Sequence, residues 1–586
     1  MSDFDLVIKN GTLYDGTGFP GRVADVAVKD GKIALVDDHI PADNAERVID
    51  AEGLNVAPGF VDLHTHYDAQ IFWDPHCTLS GWHGVTSVVI GNCGFGLAPC
   101  QPSDRERLML SLTRNEQISL EAMQEGLPWD WETFGEFLDS VDRAPKGVNV
   151  ASFAPLTPIM VWAMGGYDEA KSRRPTEGDL NAIKREIGAA MDAGAIGWST
   201  QRLGQNSVQP DYDGTPMITD VMTDEEGFAL AEYLKERGEG RIQLTYIANE
   251  GPKTENFFRE GMDKVMNWET KLAEISSRPV IHNTVQSAKA DPDFHRIQLN
   301  WLEDCNRKGV PVYGQGETNR QFAQFNFIDW NGADSLPFWN KAFTGTREQK
   351  LANIRNPELK AKMLEESKAL EAFAVFGSDW HKFRVLSVPD RCAHLQDLVG
   401  RTLGEIAGET GKSVFETALD IASETELEVE MVAPPVRDQD PAHIAEMIRS
   451  GLICPGVSDG GAHMKMFVGG AFTTDFMCWM VRETGALKPE EAHRALSYLP
   501  AQMVGLKNRG MIVEGYQADI IVYDMDELGT DPDYLYETVH DLPGGDWRRI
   551  KRAKGYRHII VNGEETMADG QDTGARPGRL LRHGRG

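Results

Sequence analysis

The sequence predicts an α/β protein: a (β/α)8 TIM-type barrel with a small β-sandwich domain built from both termini. Three observations predict this fold. Short apolar runs typical of buried parallel strands recur through the middle of the chain, stretches with helical spacing separate them, and strand-rich segments stand at both ends. The expected parts are one half of the sandwich over 1–58, the barrel over 59–507 and the second half of the sandwich over 508–586.

The two ends of the chain share one sequence pattern. Residues 1–58 alternate short apolar runs with turn signals, as in DLVIKNG and VADVAVKDG. The C-terminal part repeats this pattern in NRGMIVEGYQADIIVYDMD and YRHIIVNGEETMADG. We therefore expect the ends to complete one β-rich domain around an inserted centre.

Eight apolar runs supply the expected barrel strands. Helical patterns precede the fourth, fifth and seventh runs, and each pattern ends at a glycine that suits a helix C-cap. In such a barrel, reactive residues lie at the C-terminal ends of the strands. The runs are GFVDLHTH (59–66), TSVVIGNCG (86–94), GVNVASFAP (147–155), GAIGWST (194–200), RIQLTYIA (241–248), RPVIHNTV (278–285), VPVYGQGE (310–317) and ICPGVSDGGAH (453–463).

One further run competes for a place in the barrel. FAVFGSDW (373–380) lies between the seventh and eighth strands and would supply Asp379 and His381 as a rival acid and base. We interpret 318–450 instead as a large, mostly helical insertion that caps the barrel mouth, because long insertions in compact domains are usually functional or disordered and this one is rich in aromatic residues.

Composition and charge exclude several classes. The chain has 59 Lys plus Arg against 90 Asp plus Glu, and a net charge of −31 disfavours nucleic acid as a partner. The N-terminus MSDFDLVIKNG lacks the features of a signal peptide, and no run approaches about 18 apolar residues, so we expect a cytoplasmic protein without a membrane span. Seven scattered cysteines fit reduced thiols better than a disulfide framework.

Metal-binding residue types stand at the ends of the first and last barrel strands. His64 and His66 are two residues apart on a strand, so both face the same side and can share one divalent cation. Asp459, in SDGGAH, could accept a proton from an activated water or could simply cap the next helix. His463 follows four residues later and could be a ligand, a proton shuttle, an oxyanion donor or a supporting residue bonded to backbone.

Cys93 ends the second expected strand in the phrase IGNCG. The flanking glycines permit close approach of the backbone, and a thiolate binds zinc well. The alternative is an ordinary buried thiol of the core.

Taken together, these motifs resemble the amidohydrolase superfamily. APGFVDLHTHYD opens the barrel and SDGGAH closes it, while GVTSVVIGNCGFGLAP, KNRGMIVEGYQADIIVYD and GARPGRLL are similar to the N-acyl-D-amino-acid deacylase (D-aminoacylase) branch. The resemblance covers nearly the whole chain. It implies a metal-activated hydroxide attacking an amide-type carbonyl, Cys93 as a metal ligand and Asp459 as the general base and acid.

The chain departs from that branch at strands five and six, which there supply one metal-binding histidine each. Tyr246 stands where the first histidine is expected, His282 lies about two positions early, and Thr284 falls nearest the second slot. The family's carboxylate-binding lysine has no counterpart near Thr284. We therefore expect one divalent metal, Zn²⁺ by its ligand types, with a second left open; the candidate ligands are His64, His66, Cys93, His282 and Asp459.

The expected activity is hydrolysis of a carbon–nitrogen bond other than a peptide bond. The substrate would be a small linear amide, an N-acyl amino acid or a related compound with an apolar acyl part, contacted by Tyr246 and by Arg320, whose guanidinium could hold a carboxylate or form an ordinary ion pair. Two alternatives stay open. One is a hydantoinase-like hydrolase of cyclic amides, disfavoured because strand four, GAIGWSTQR, lacks the lysine those relatives use. The other is a degenerate barrel that serves as a binding protein.

The sequence leaves the acyl group, the stereochemistry of the substrate and the oligomeric state open. Relatives with this fold often pair, so a homo-oligomer is one expectation.

Overall fold

The computed structural model of the protein describes residues 2–248, 257–287, 292–320, 322–372, 379–434, 439–531 and 535–584. The (β/α)8 barrel and the two-ended β-domain that the sequence predicts are both confirmed. All seven cysteines are buried and unpaired with one another. Among the helices of the described ranges, none combines the length and apolar character that crossing a membrane requires.

Eight parallel strands in chain order form the barrel. The third strand is interrupted at Phe153, so that its first part pairs with the second strand and its second part pairs with the fourth. A bridge between Thr65 and Gly460 closes the barrel between the first and last strands. The strands are Phe60–Asp62, Val85–Ile90, Asn149–Ser152 with Ala154–Pro155, Trp198–Arg202, Ile242–Tyr246, Val280–Val285, Val312–Glu317 and Ile453–Gly456.

The helices between the strands begin and end where the sequence signals them. Helix Asp224–Arg237 starts at a capping box formed by Thr223 and Glu226, and it ends at Gly238 in the left-handed conformation. Its neighbour Glu177–Ala193 starts at an equivalent capping box and is followed by Gly194. The other principal helices around the barrel are Arg105–Glu116, Leu120–Gly126, Phe134–Arg143, Leu156–Ala163, Tyr167–Ser172, Phe257–Ser276, Phe294–Arg307, Pro441–Arg449, Phe472–Phe476, Pro489–His493 and Leu499–Val504.

The two chain ends meet in one nine-stranded sheet. Strand Asn55–Pro58 pairs antiparallel with Ile520–Tyr523, and this contact joins the N-terminal strands to the C-terminal ones. Because Asn55–Pro58 runs almost directly into the first barrel strand, the sheet fixes the point where the barrel begins. Its remaining strands are Phe4–Leu13, Arg22–Lys29, Lys32–Asp37, Ala45–Asp50, Tyr556–Val561, Glu564–Ala568 and Gln571–Asp572. The limits 1–58, 59–507 and 508–586 stay predictions.

The insertion between the seventh and eighth strands has a hydrophobic core of its own, built around Trp330, Trp339 and Trp380. Its described helices are Pro337–Phe343, Arg347–Arg355, Pro357–Ala372, Leu403–Thr410 and Val414–Glu424, and its small sheet contains Gln324–Phe325, Arg384–Ser387 and Glu430–Val432. Residues 373–378 of the competing run FAVFGSDW lie outside the described residues, and Ile453–Gly456 occupies the eighth barrel position.

An ion pair between Arg114 and Asp334 at 2.7 Å fastens the insertion to helix Arg105–Glu116, which ends beside the barrel mouth.

Candidate metal centre

Three side chains meet at the C-terminal ends of the first two barrel strands. One ligand atom each from His64, His66 and Cys93 lies within 4.8 Å of the others, and all three residues are buried. Asp459 follows the last barrel strand, and its Oδ1 lies 3.3 Å from His64 Nε2 and 3.6 Å from His66 Nε2. Four of the residues singled out in the sequence therefore come together across about 400 residues of chain.

The backbone at Cys93 turns sharply toward the histidines. Gly91, Cys93 and Gly94 all have positive φ, of 72°, 56° and 75°. A Cβ at Gly91 would lie 2.4 Å from the carbonyl oxygen of Phe153, so this position requires glycine. The turn brings Cys93 Sγ to 3.2 Å from His64 Nε2.

Polar residues inside the barrel orient the ligand side chains. Gln315 Oε1 accepts a hydrogen bond from His64 Nδ1 at 2.7 Å, which directs the lone pair of Nε2 toward the centre. The backbone N–H of Cys93 donates to Gln243 Oε1 at 2.8 Å. These amides come from the seventh and fifth barrel strands, so the site is preorganised by the barrel wall.

Asp62 joins the first and last barrel strands beneath the site. Ser458 Oγ lies 2.9 and 2.8 Å from the two carboxylate oxygens of Asp62 and 2.9 Å from the carbonyl oxygen of His64, so these acceptors share its one hydroxyl proton. Burial raises the pKa of Asp62 to about 6, against the opposing effect of the Ser458 and Ser80 hydrogen bonds. This network places Asp459, the residue after Ser458, next to the histidines.

The side chains of this centre shift one another's pKa values. Burial opposes a charge on His64, but the adjacent Cys93 and Asp459 outweigh it and raise the pKa of His64 to about 9. Burial also opposes ionisation of Asp459, yet the pKa of this carboxyl falls to about 2 because His66 and His64 stabilise the carboxylate. The same two imidazoles lower the pKa of the Cys93 thiol against the effect of burial. The site therefore favours anionic thiolate and carboxylate next to cationic charge, as a divalent cation requires.

Sequence reasoning missed Glu116, the last residue of helix Arg105–Glu116. Its side chain is 1% exposed, and its Oε2 lies 3.4 Å from His463 Nε2 and 3.9 Å from His66 Nε2. The backbone N–H of His463 also donates to the carbonyl oxygen of Glu116. No local pattern marks this glutamate, because a single acidic residue at the end of a helix is ordinary until the fold buries it.

At strands five and six, the chain neighbours of Tyr246 and Thr284 also face the interior of the barrel. Thr245 Oγ1 lies 3.2 Å from Cys93 Sγ and accepts a hydrogen bond from Asn283 Nδ2 at 3.0 Å. Thr245 therefore contacts Cys93 from the fifth strand and Asn283 contacts Thr245 from the sixth, while Tyr246 and Thr284 also line the central cavity; the assignment of the two slots to Tyr246 and Thr284 stays a prediction. By strand alternation Gln243 and Thr245 point to the same side, toward Cys93.

His282 lines the same central cavity but is not part of the group formed by His64, His66 and Cys93. Its Nδ1 lies 3.0 Å from Glu269 Oε1 and its Nε2 lies 3.4 Å from Gln298 Nε2, both on helices that pack outside the barrel. Both ring nitrogens therefore already have partners on these helices, and His282 as a metal ligand stays a prediction.

Tyr246 and Arg320, the two residues expected to contact the substrate, lie in different places relative to the central cavity. Tyr246 lies at the edge of the central cavity, with its ring 5.0 Å from that of Trp268 and beneath the guanidinium of Arg202. Arg320 does not line this cavity and instead pairs with Asp475 at 2.7 Å and Glu483 at 2.8 Å. The ion-pair alternative for Arg320 is therefore the one that the structure supports.

A cavity of about 250 Å³ opens above the four converging side chains. His64, His66, Cys93, Asp459 and His463 form its floor, while amide and hydroxyl groups and several apolar side chains form its wall. The described wall residues include Val208, Gln209, Ile247, Met262, Asn283, Thr284, Gln286, Asn319, Asn331 and Phe467.

Comparison with known proteins identifies the family of the chain. The model of the amidohydrolase family matches residues 47–154 and 348–570. A D-aminoacylase of Alcaligenes xylosoxydans xylosoxydans is 26% identical, with 99% of this chain and 97% of that protein covered. The crystal structure of a D-aminoacylase superposes with a TM-score of 0.66 at 22% identity, covering 99% of this chain and 100% of the other.

An N-acyl-D-glutamate deacylase from Bordetella bronchiseptica, solved with zinc and a phosphonate inhibitor, superposes with a TM-score of 0.64 at 22% identity, covering 99% of this chain and 100% of that one. The match of the family model, with a barrel that carries paired histidines at its first strand and an aspartate after its last, establishes that this chain belongs to the amidohydrolase family.

Proposed function

We propose that this protein is a metal-dependent amidohydrolase that cleaves a linear amide C–N bond in an N-acyl amino acid or a related amide. The observation that carries the proposal is the convergence of His64, His66, Cys93 and Asp459 on the floor of one cavity. The 26% identity to a D-aminoacylase over nearly the whole chain supports the substrate class.

The residues fit one divalent cation, for which zinc is our choice. Two imidazoles, a thiolate and a carboxylate are a donor set that zinc accepts, and His64 already has its Nδ1 committed to Gln315. When bound, the cation supplies a Lewis acid that polarises a carbonyl and lowers the pKa of water. Because Thr245 and Asn283 replace the histidines that strands five and six would provide, we propose a single metal per chain.

Asp459 would move the proton of the reaction. Its side chain is 24% exposed and lines the cavity, whereas His64 and His66 beside it are almost fully enclosed. A carboxylate in this position can take a proton from the attacking water and return it to the leaving nitrogen.

His463 lines the same cavity and would act beside Asp459, held in place by Glu116. Its ring would donate a hydrogen bond to the oxygen on which negative charge develops, or to the leaving group. Val208, Met262 and Phe467 give the wall apolar surface that would receive the acyl part.

Elemental analysis combined with a substrate panel tests the proposal. Wild type and His64→Ala are purified without added metal, and metal per chain is measured by plasma mass spectrometry. Both are then assayed on N-acyl-D- and N-acyl-L-amino acids and on simple amides. About one zinc per chain in wild type, with loss of both zinc and turnover in His64→Ala, is the expected result. A wild-type protein that takes up no metal even when zinc is supplied would favour a binding protein instead.

A further inference from the structure

A second cavity, of about 240 Å³, lies at the opposite end of the barrel from the metal centre. Ile196, which lines it, stands just before the fourth barrel strand, Trp198–Arg202, so the cavity is at the N-terminal ends of the strands. Its walls come from residues 505–509, which follow the last barrel helix, and from residues 579–584 near the C-terminus.

The charge of this cavity differs from that of the rest of the chain. Four of its lining residues are Lys or Arg and a fifth is histidine, whereas the described residues that line it include no Asp or Glu. In a chain with a net charge of −31, such a concentration of positive charge is unexpected for an ordinary surface. The five residues, which we call the basic cavity set, are Lys507, Arg509, Arg579, Arg582 and His583.

Two members of the set are already neutralised and build the walls. Arg509 pairs with the buried Asp519 and donates to Asn562 Oδ1 at 2.9 Å. Arg582 donates to Asp139 Oδ1 at 2.6 Å and to the carbonyl oxygen of Ala193 at 2.8 Å. These contacts hold Arg509 and Arg582 in the cavity wall. The positive charges of the other three members of the set take no part in them.

The positive charges of Lys507 and Arg579 are available to a ligand. Within the ranges that the structure describes, no carboxylate lies at ion-pair distance from either side chain. Both are solvent-exposed at the cavity rim, where their long side chains can turn toward a ligand.

Arg241 adds a third uncompensated cation behind the cavity wall. It lies directly against Gly505, where an added Cβ would be 2.3 Å from Arg241 Nη2. Its Nε donates to the carbonyl oxygen of Met503 at 2.7 Å, but among the described residues no carboxylate pairs with it. Burial lowers its pKa, and the nearby Arg278 lowers it further against an opposing effect of Tyr313. A partly buried guanidinium without an anion is unfavourable, and an anion in the cavity would relieve this cost.

His583 lies in the same positive field. Burial lowers its pKa, as do Arg241 and Lys507, and Glu239 opposes them. Glu239 already forms an ion pair with Arg237 at 2.6 Å, so its negative charge is partly neutralised.

We propose that the basic cavity binds a small multivalent oxyanion, a phosphate group, between Lys507 and Arg579. The ammonium and guanidinium groups are suited to the charge and geometry of phosphate oxygens, and a volume of about 240 Å³ is sufficient for such a group with part of an attached molecule. This site is separate from the metal centre and does not depend on the proposed hydrolase activity.

The anion would fasten the C-terminal segment to the barrel. That segment already bonds to the third barrel strand, where Val150 N donates to the carbonyl oxygen of Arg579 and Leu581 N donates to the carbonyl oxygen of Val150. His583 N donates to the carbonyl oxygen of Gly194. A ligand shared by Lys507 and Arg579 would join this segment to residues 505–509, so binding should raise the thermal stability of the whole chain.

The test is thermal unfolding of the full chain in inorganic phosphate, with sodium chloride at matched ionic strength as the reference. We expect a saturable rise in Tm with phosphate that chloride does not produce. The double variant Lys507→Ala/Arg579→Ala should weaken the apparent affinity by about tenfold or more. A control variant, Arg185→Ala/Lys235→Ala, removes two exposed cations elsewhere and should respond like wild type.

A second arm identifies the source of the phosphate group. Adenosine monophosphate that binds about tenfold more tightly than phosphate would indicate an organic phosphate ligand, and equal affinity would indicate the free ion; both outcomes retain the site. Phosphate that acts no better than chloride, or a cavity variant that responds as strongly as the control variant, would overturn the proposal.

Discussion

Glu116 Oε2 lies 3.4 Å from His463 Nε2, in a pocket where both residues are almost completely buried. The two residues come from distant parts of the chain, one ending a helix after the second barrel strand and the other following the eighth. We propose that this contact orients His463 beside Asp459, which would make Glu116 a positioning residue for the proposed reaction.

Glu116→Gln should therefore lower kcat by about 10- to 100-fold while leaving KM and metal content nearly unchanged. The amide keeps the size of the side chain but removes the charge that faces His463. Steady-state kinetics and metal analysis measure the effect, with the exposed Glu106→Gln on the same helix as control. Equal loss of metal and activity would assign Glu116 to the metal centre, and unchanged kcat would remove its role.

Asp459→Asn should reduce turnover by about 10²- to 10⁴-fold with the fold intact, because an amide cannot accept the proton of the attacking water. Circular dichroism checks the fold, and kcat on the best substrate of the panel checks the chemistry. The exposed Asp526→Asn serves as the matched control. Activity close to wild type in Asp459→Asn would refute the proton-transfer assignment.

Cys93→Ser should lower the zinc content of the purified protein, since a serine hydroxyl is a much weaker ligand than a thiolate. Cys305→Ser removes another buried thiol, one whose Sγ lies 3.5 Å from Thr270 Oγ1 on the outside of the barrel, and it should retain full occupancy. If both variants hold the same amount of zinc, Cys93 is a core thiol and not a ligand.

The double variant Thr245→His/Asn283→His should raise the metal stoichiometry from one toward two per chain. Thr245 lies next to Cys93 and Asn283 lies next to Thr245, so two imidazoles there could complete a second site around the same sulfur. Tyr246→His is the matched control and should leave the stoichiometry at one, because Tyr246 packs against Trp268. A rise with Tyr246→His alone would contradict the strand register described above.

His493 should make the protein sensitive to acid. Its ring stacks between Tyr14 and Phe60, its Nε2 contacts Tyr523 Oη at 2.8 Å, and burial lowers its pKa to about 3. An unfolded histidine has a pKa near 6.5, so this residue contributes stability above that pH and the contribution falls as pH drops from about 6.5 toward 3. The loss is at most about 1.4 kcal/mol per pH unit.

Denaturant unfolding of His493→Gln between pH 7 and about 4.5 measures this effect. The variant should show a shallower decline of stability with acid than wild type, even where its stability at pH 7 is lower. His39→Gln, at an exposed position, should keep the wild-type slope. An identical slope in His493→Gln would show that the ring takes up a proton equally in both states.

Strand alternation and motif spacing predict which side chains the fold brings together in the candidate site. The two-residue spacing of His64 and His66, the glycines around Cys93 and the placement of Asp459 after the last apolar run each follow from local patterns. Strand ends were harder, because the register of LTYIA could not be fixed to one residue. That single-residue uncertainty concerns Thr245 and Tyr246, which both line the cavity.

The sequence by itself determined the α/β class, the eight barrel strands, the joining of both ends in one β-domain and the residue types of the candidate metal centre, because these depend on periodicity and short-range spacing. Only the tertiary structure decided that Glu116 faces His463, that His282 faces Glu269 outside the barrel, and that Arg320 is held by Asp475. In each contact, the local sequence pattern does not distinguish the observed partner from other residues of the same type. Packing alone chooses which face of a strand and which neighbour a polar side chain meets.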